Sequence, residues 1–369
     1  MDGLVYEEFE VRLADGSHPR EVMVEVTRRC NLSCLYCFRD MLKPGYLIDM
    51  DKALYERFLE DAVSSGVEKL AFTGWGEPLI HPDILDFIGL AKEAGLKVLL
   101  NTNGFYLSEY GYKIVELGVD ELVISIDSDD EDIYRNIRRG GDLKRIVEGL
   151  SVINDAKVSL GSDRPLMKFQ YTLSRANINN LLSLARLAKE YRVKDVIVSN
   201  IIPNNPVTAR MLLCLGDGGC IESIKSIMED LTRVTLDTNI NFYLPNMEVR
   251  TERHCPFMDK YAFYLTAEGD VAPCIYYAHE WRPIINGIER SISPVRFGNI
   301  RDRSILDIWK STDYVRFRFN VRFSYMPSCL DCSLEDVCSI TRSNEYDCWG
   351  NSPTCSHCPY ARNIVSCPL

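Results

Sequence analysis

Short apolar runs alternate with amphipathic stretches over the first 215 residues of the chain. Six runs rich in β-branched residues have strand length and lack regular polar alternation, which is typical of strands buried on both faces. They cover residues 22–26, 70–73, 98–101, 122–126, 167–172 and 196–200. The stretches between them carry apolar residues at helical spacing. Helices are therefore predicted over residues 51–63, 82–94, 108–117, 143–153 and 178–189.

This alternation of strands and helices predicts an α/β fold with a parallel sheet and either a doubly wound or a barrel-like closure. We assign residues 15–215 to this core domain. Residues 216–250 are predicted to form a connecting helix and strand, and residues 251–369 a cysteine-rich C-terminal domain. In such folds the functional groups lie on loops at the carboxyl ends of the strands. Those loops are therefore where chemistry is expected.

Composition narrows the possible partners. The chain has 369 residues, of which 46% are hydrophobic, and this composition is typical of a folded, enzyme-sized protein. Its net charge is -11, so we expect no nucleic-acid partner. The first thirty residues lack the apolar run of a signal peptide, and no later stretch has the length of a membrane span. A cytoplasmic location without membrane association is therefore predicted.

Fourteen cysteines are many for a protein of the reducing cytoplasm, where dense cysteine patterns indicate metal binding. The first three, Cys30, Cys34 and Cys37, follow the first strand in a C-x3-C-x2-C array. A tetrahedral zinc site would need a fourth ligand nearby, but the next cysteine is Cys214. Three thiolates instead suit an iron-sulfur cluster with one iron left open.

The next three strands also end in polar or glycine-rich segments. The second ends in Thr-Gly-Trp-Gly-Glu-Pro, where Gly74 and Gly76 permit close backbone approach and Glu77 can bind an ammonium group. Asn103 follows the third strand, and Ser125 and Asp127 follow the fourth; short polar groups of this kind suit hydroxyl recognition. Each segment alone is compatible with an ordinary turn or helix cap. Their order on successive strands indicates one binding site.

With Tyr36 as the aromatic residue before Cys37, the pattern C-x3-C-x-aromatic-C resembles the signature of the radical S-adenosylmethionine (SAM) superfamily. The resemblance implies that the sheet forms a partial (β/α)6 barrel and that the three cysteines hold a four-iron four-sulfur (4Fe-4S) cluster, which cleaves SAM to methionine and a 5'-deoxyadenosyl radical. It also implies that Glu77 binds the methionine amino group and that Asp127 contacts the ribose. The residues implied to bind the cofactor are Tyr36, Gly74, Gly76, Glu77, Asn103, Ser125 and Asp127.

The C-terminal cysteines resemble a second family pattern, the SPASM extension of radical SAM enzymes, which carries auxiliary iron-sulfur clusters. Its spacing is matched by Cys255, Cys274, Cys329, Cys332 and Cys338. The usual next cysteine is replaced by Arg342, and the chain continues with Cys348, Cys355, Cys358 and Cys367. These nine cysteines suffice for two four-cysteine clusters with one left over, or for one cluster and a zinc site. Cys214 and Cys220 are expected to be buried thiols without a ligand role.

Residues 22–37, the tryptophan between the two glycines and the cysteine-rich tail are most similar to the tungsten-cofactor oxidoreductase radical SAM maturases. This resemblance implies a partner that is a protein or peptide, in the first place a tungsten-containing aldehyde ferredoxin oxidoreductase. It also implies a reducing electron donor such as ferredoxin. Two alternatives remain: a SPASM enzyme that modifies peptides or proteins, and a multicluster electron carrier without substrate chemistry.

Overall fold

A computed structural model of the chain describes residues 3–6, 8–12 and 16–367. The strands are β1 (Gly3–Tyr6), β2 (Phe9–Arg12), β3 (Glu21–Val24), β4 (Lys69–Phe72), β5 (Lys97–Thr102), β6 (Glu121–Ser125), β7 (Leu166–Leu173), β8 (Asp195–Asn200), β9 (Asn241–Tyr243), β10 (Ala262–Leu265), β11 (Asp270–Ala272), β12 (Ile284–Ile285), β13 (Ile288–Glu289) and β14 (Gly298–Asn299). The α-helices are α1 (Lys52–Ser64), α2 (Ile84–Glu93), α3 (Leu107–Glu116), α4 (Glu131–Ile137), α5 (Leu143–Leu160), α6 (Leu181–Glu190), α7 (Pro206–Leu212), α8 (Gly218–Thr238), α9 (Pro256–Asp259), α10 (Ile305–Trp309) and α11 (Thr312–Arg322).

One ten-stranded sheet runs through most of the chain, in the order β14-β11-β10-β3-β4-β5-β6-β7-β8-β9. Neighbours from β3 to β9 are all parallel. The six predicted strands correspond to β3–β8, and the predicted helices to α1, α2, α3, α5 and α6, with boundaries shifted by a few residues. The predicted α/β class with a parallel sheet is confirmed.

The helices bury their apolar sides against the outer face of the sheet. In α1, the Asp51 side chain accepts a hydrogen bond from the Leu54 backbone N–H at 2.8 Å and so begins the helix. Tyr55 then stacks on Phe87 of α2, with ring centroids 4.0 Å apart, and donates its hydroxyl to the Phe87 carbonyl at 2.7 Å. These contacts hold α1 and α2 together on the sheet.

On the inner face of the sheet, a layer of apolar residues separates a charged network from a polar cavity. Ala71, Leu99 and Val123 form a small apolar cluster separate from the main core. On the amino-terminal side of this cluster, Glu121 binds both Lys69 and Lys168 at 2.8 and 2.7 Å. On its carboxyl-terminal side the same strands carry polar residues that open into a cavity. The polar site and the charged network are thus at opposite ends of the strands.

The C-terminal region adds three strands to the same sheet. β10 and β11 form a hairpin around Gly269, and β10 pairs in parallel with β3. The sheet therefore continues across the boundary predicted at residue 251. The short helix α10 ends at Trp309. The hairpin of β1 and β2 was not predicted from the sequence.

Cys214 and Cys220 are buried as expected, but they are joined by a disulfide, with Cα atoms 5.5 Å apart. The prediction of two unlinked thiols is therefore wrong. The physical reason is a tight turn between them. Gly216 adopts a positive φ of 71°, and the Asp217 side chain accepts a hydrogen bond from the Cys220 backbone N–H at 2.9 Å. Among the helices of the described residues, none is long and apolar enough to cross a membrane.

Candidate active site

A cavity of about 210 Å³ lies at the carboxyl ends of the parallel strands. All three cysteines of the loop after β3 line it, together with residues from the ends of β4, β5 and β6. The predicted site residues on its walls are Cys30, Cys34, Tyr36, Cys37, Gly74, Gly76, Glu77, Asn103 and Ser125. The structure thus brings together all but one of the residues predicted from the first four strands.

The cysteine loop is fixed by backbone hydrogen bonds to the segment after α4. Ser33 N–H donates to the Arg139 carbonyl and Leu35 N–H to the Ile137 carbonyl, each at 2.9 Å. Cys30 Sγ accepts a hydrogen bond from the Leu32 backbone N–H at 3.4 Å. The loop is therefore shaped by protein contacts that hold its thiols on the cavity wall.

The three thiols suit a positively charged iron-sulfur centre. Burial raises the pKa of Cys34 to about 12 and that of Cys37 to about 11. Burial and the nearby Glu77 carboxylate also raise the pKa of Cys30. Thiolates at these positions are costly without a cation, and iron would supply that charge. The donor set thus fits a cluster held by three cysteines, with one iron facing the cavity.

Glu77 is buried in the cavity wall and held by three donors. Its carboxylate accepts hydrogen bonds from Leu79 N–H at 3.0 Å, Thr102 Oγ1 at 2.7 Å and Asn103 N–H at 2.6 Å. Burial raises the pKa of Glu77 to about 6, although these hydrogen bonds oppose the rise. The carboxylate is therefore fixed in position and able to bind a cation that enters the cavity.

The two glycines of the strand-two motif allow close packing within the protein. A Cβ atom on Gly76 would lie 2.3 Å from the Thr27 carbonyl oxygen and 2.5 Å from that of Arg29. The adjacent Glu77 N–H donates to the same Arg29 carbonyl at 2.8 Å. Gly74 is similarly close to Tyr264, whose hydroxyl would lie 2.7 Å from a Cβ atom. These glycines therefore join the motif to the cysteine loop and to β10.

Asp127 is placed differently from the sequence prediction. It is fully buried and does not line the cavity. Its carboxylate accepts hydrogen bonds from Arg138 Nε at 2.7 Å, from the Thr172 backbone N–H at 2.8 Å and from the Tyr36 hydroxyl. Asp127 thus reaches the cavity through Arg138 and Tyr36, which do line it. Its direct contact with the SAM ribose stays a prediction.

Several cavity residues were missed by the sequence analysis. Asn101 Nδ2 donates to Gln170 Oε1 at 3.0 Å, and the two side chains form a polar floor. Both lie on inward-facing positions of predicted strands, so strand alternation was a usable signal. Arg138 follows α4 in a basic, glycine-rich loop that carried no comparable signal. The additional wall residues include Asn101, Arg138, Gln170, Thr172, Ser199 and Asn200.

The C-terminal tail closes one side of the cavity beside β8. Ser366 donates its hydroxyl to the Val198 carbonyl at 2.7 Å, and its backbone N–H donates to Ser199 Oγ at 3.0 Å. Asn200 Nδ2 donates to the Ile364 carbonyl at 3.0 Å. Val365 and Ser366 consequently line the cavity. No local sequence pattern indicated that residues so far from the core domain would reach it.

The C-terminal cysteines separate into different surroundings. Cys255, Cys274, Cys355 and Cys358 line one small cavity. Cys332 and Cys348 are exposed, Cys338 is half-buried and Cys329 is buried. Cys367 lines a third cavity, beside the Lys69–Glu121–Lys168 network. Across residues 3–6, 8–12 and 16–367, no group of three or more His, Cys, Asp or Glu side chains is arranged to hold a single metal ion.

Family comparisons agree with this arrangement. The radical SAM superfamily matches residues 24–182, and the SPASM iron-sulfur cluster-binding domain matches residues 255–333. The chain is 31% identical to the tungsten-containing aldehyde ferredoxin oxidoreductase cofactor-modifying protein of Pyrococcus furiosus, over 94% of this chain and 96% of that protein. The AdoMet-dependent heme synthase of Methanosarcina barkeri is 25% identical over 94% of this chain and 99% of its own.

Solved structures show the same fold. SuiB of Streptococcus suis, bound to S-adenosylmethionine, aligns with a TM-score of 0.60 at 18% identity, over 88% of this chain and 73% of that chain. The fold and the cysteine-lined cavity thus define a radical SAM enzyme with a C-terminal SPASM domain, a class that uses a 4Fe-4S cluster and SAM. Within this class, the chain belongs to the family of the Pyrococcus furiosus cofactor-modifying protein.

Proposed function

We propose that the enzyme modifies or matures the cofactor of a tungsten-containing aldehyde ferredoxin oxidoreductase. The observation that carries this proposal is the 31% identity to a protein named for that role, which extends over 94% of the chain and includes both domains. Similarity limited to the core domain would support only the shared SAM chemistry. Here the regions that surround a substrate are also related.

When bound, the cluster and SAM supply a 5'-deoxyadenosyl radical that takes a hydrogen atom from the substrate. Cys30, Cys34 and Cys37 would hold the cluster, because these thiols share one wall of the cavity. The backbone hydrogen bonds of Ser33 and Leu35 hold the loop of these cysteines and would therefore hold the cluster at this wall of the cavity.

The polar side chains of the cavity wall suit the polar parts of SAM. Glu77 would bind the methionine ammonium through a charge-assisted hydrogen bond. Asn103 lies between Glu77 and the cysteine loop, donating its backbone N–H to the former and its side-chain amide to Asn31 Oδ1 at 2.8 Å. Ser125 is beside Asn101 on the floor, with an Oγ–Oδ1 distance of 3.4 Å. These groups are assigned to the methionine and ribose ends of SAM.

Apolar residues would exclude water from the reacting atoms. Phe38, Trp75, Ile202 and Tyr360 form an apolar part of the cavity wall. Trp75 packs against Phe38, with ring centroids 4.4 Å apart. A radical in such a space meets few hydrogen donors other than the substrate. The roles of the protein are thus to position SAM and to shield the radical.

Experiments must distinguish the proposed function from two others, peptide modification and electron transfer. The complex of SuiB with its precursor peptide SuiA aligns with a TM-score of 0.60, but at 18% identity this likeness is one of fold. Peptide modification is therefore the second candidate. An electron carrier would not need the cavity beside the three cysteines. Ferredoxin as the donor and the cytoplasm as the location stay predictions.

The first test is anaerobic reconstitution with iron and sulfide, followed by reduction, addition of SAM and measurement of 5'-deoxyadenosine. Cys30→Ala should abolish the product while the C-terminal cysteines keep their iron. The second test adds the cofactor-bearing aldehyde oxidoreductase or, separately, small peptides. Faster 5'-deoxyadenosine formation and a mass change on the oxidoreductase cofactor would support the proposal. A mass change on peptides alone would overturn it in favour of the second candidate.

A further inference from the structure

Four cysteines from three separate parts of the C-terminal region line one enclosed cavity of about 30 Å³. Cys255 directly precedes α9, and Cys274 follows β11. Cys355 and Cys358 come from the tail, beyond the matched SPASM region of residues 255–333. The other walls are formed by apolar and aromatic side chains such as Phe257, Phe317 and Tyr360.

Contacts that do not involve the sulfurs bring these three segments together. Tyr277, close to Cys274, donates its hydroxyl to the Thr354 carbonyl at 2.7 Å, directly before Cys355. Ala361, close to Cys358, accepts a hydrogen bond from the His254 backbone N–H at 2.8 Å, directly before Cys255. The approach of the four cysteines is therefore fixed by their neighbours in the chain.

The chemistry of the cavity fits a metal cluster. Burial raises the pKa of all four thiols, that of Cys255 to about 12. Proximity to Cys358 raises the pKa of Cys255 and of Cys274 further. Four thiols on one cavity wall can hold a zinc ion or an iron-sulfur cluster. The match of residues 255–333 to an iron-sulfur cluster-binding domain favours the cluster. A 4Fe-4S cluster would occupy the space and stabilise the thiolates.

Arg342 stands where the SPASM pattern usually has a cysteine, and its guanidinium donates to the Asp336 carbonyl at 2.9 Å. This position supplies no sulfur, whereas Cys355 and Cys358 line the same cavity as Cys255 and Cys274. We infer that the tail pair Cys355 and Cys358 completes that site, and that Cys255, Cys274, Cys355 and Cys358 together ligate one auxiliary 4Fe-4S cluster.

The proposed cluster site lies next to the active-site cavity. Ile275 and Tyr360 line both this cavity and the active-site cavity, so one layer of side chains separates the two. Four protein ligands leave no open iron, so the cluster does not bind substrate. It is instead placed to pass electrons to or from the active site. The inference does not depend on the identity of the substrate.

The test compares three pairwise variants by iron content and by the electron paramagnetic resonance (EPR) spectrum after anaerobic reconstitution. Cys355→Ala/Cys358→Ala and Cys255→Ala/Cys274→Ala should each lose about four of about twelve iron atoms. The variant that combines these four substitutions should lose no more iron than either pair alone. Cys329→Ala/Cys332→Ala is the matched control, because it removes another C-x2-C pair. When Cys329→Ala/Cys332→Ala is combined with Cys355→Ala/Cys358→Ala, the two losses should add to about eight iron atoms.

Single cysteine-to-histidine variants provide a second test if a double alanine variant fails to fold. Cys358→His and Cys274→His retain a ligand and should raise the reduction potential of the same centre, as histidine ligation does in Rieske clusters. Cys332→His should change the spectrum of a different centre.

Two results would overturn the assignment. One is additive iron loss between the tail pair and the Cys255/Cys274 pair. The other is zinc in place of iron at this site. Formation of 5'-deoxyadenosine is measured in parallel, so failure of the pairing is distinguishable from failure of the proposed function.

Discussion

Trp75 donates its indole N–H to the carbonyl oxygen of Ile275 at 3.1 Å, across 200 positions of the chain. Trp75 is inserted between the two glycines of the strand-two motif, and Ile275 directly follows Cys274. The hydrogen bond therefore joins the predicted SAM-binding motif to the proposed auxiliary-cluster site. The Trp75 ring also packs edge-on against His279 and Trp281, at 4.9 and 5.8 Å.

This relationship predicts that Trp75→Phe destabilises the contact between the two domains. The variant removes the indole donor to the buried Ile275 carbonyl, which then keeps the longer hydrogen bond from the Ala278 backbone N–H at 3.4 Å. Losing one hydrogen bond of this kind costs about 1 kcal/mol. Anaerobic thermal unfolding of the reconstituted protein measures the loss as a lower transition temperature. Trp349→Phe is the control, because Trp349 is 60% exposed. Equal effects of the two substitutions would contradict the assigned role of Trp75.

Gly76 is predicted to tolerate no side chain. The methyl group of Gly76→Ala would meet two backbone carbonyl oxygens at 2.3 and 2.5 Å, so the cysteine loop or the Glu77 backbone must move. We expect loss of measurable SAM binding and of 5'-deoxyadenosine formation. Gly218→Ala is the matched control, because nothing lies within 4 Å of its added Cβ atom and its φ is not positive. Normal SAM affinity in Gly76→Ala would show that the packing argument is wrong.

SAM affinity should depend on pH through Glu77. The pKa of this buried carboxyl is raised to about 6, so the group is ionised above that pH and neutral below it. Only the ionised form makes a charge-assisted hydrogen bond to an ammonium. The dissociation constant of SAM, measured anaerobically by equilibrium dialysis, should therefore rise as the pH falls below about 6.

Glu77→Gln is the variant that isolates this effect. It should bind SAM at least about tenfold more weakly at pH 7.5, because it lacks a charge-assisted bond worth about 1.5–3 kcal/mol. Its affinity should also show no change near pH 6. A parallel pH dependence in both proteins would mean that another group titrates.

The sequence was a good guide to the fold and to most of the site, and the exceptions have identifiable causes. The strands β3–β8 were predictable because both faces are covered, so their residues form nearly continuous apolar runs. The cysteines and Glu77 were predictable because their chemistry is placed directly at strand ends. For Gly76 the structure adds a constraint that the sequence did not show, because the carbonyl oxygens of Thr27 and Arg29 leave no room for a Cβ atom.

Asp127 shows where strand alternation stops being informative. Glu121, Val123 and Ser125 point to the inside of the sheet, and continuing the alternation would place Asp127 there as well. However, β6 ends at Ser125, and the Asp127 carboxylate turns to the Thr172 backbone and to Arg138. The tail residues on the cavity wall were unpredictable for a related reason: their positions depend on contacts distant in sequence.

The buried pair of Asp127 and Arg138 gives the last prediction. Asp127→Ala leaves the buried Arg138 guanidinium without its carboxylate, which typically costs about 3–5 kcal/mol. SAM affinity should fall as well, because Tyr36 and Arg138 lose their positions on the cavity wall. The double variant Asp127→Ala/Arg138→Met should recover part of the stability, since no uncompensated charge remains.

Chemical unfolding of the reconstituted single and double variants under anaerobic conditions measures this coupling. If the buried pair contributed nothing to stability, Asp127→Ala would leave the unfolding free energy nearly unchanged, and removing Arg138 in addition would restore nothing. Partial recovery in the double variant therefore shows that Asp127 stabilises the buried Arg138 guanidinium on the cavity wall.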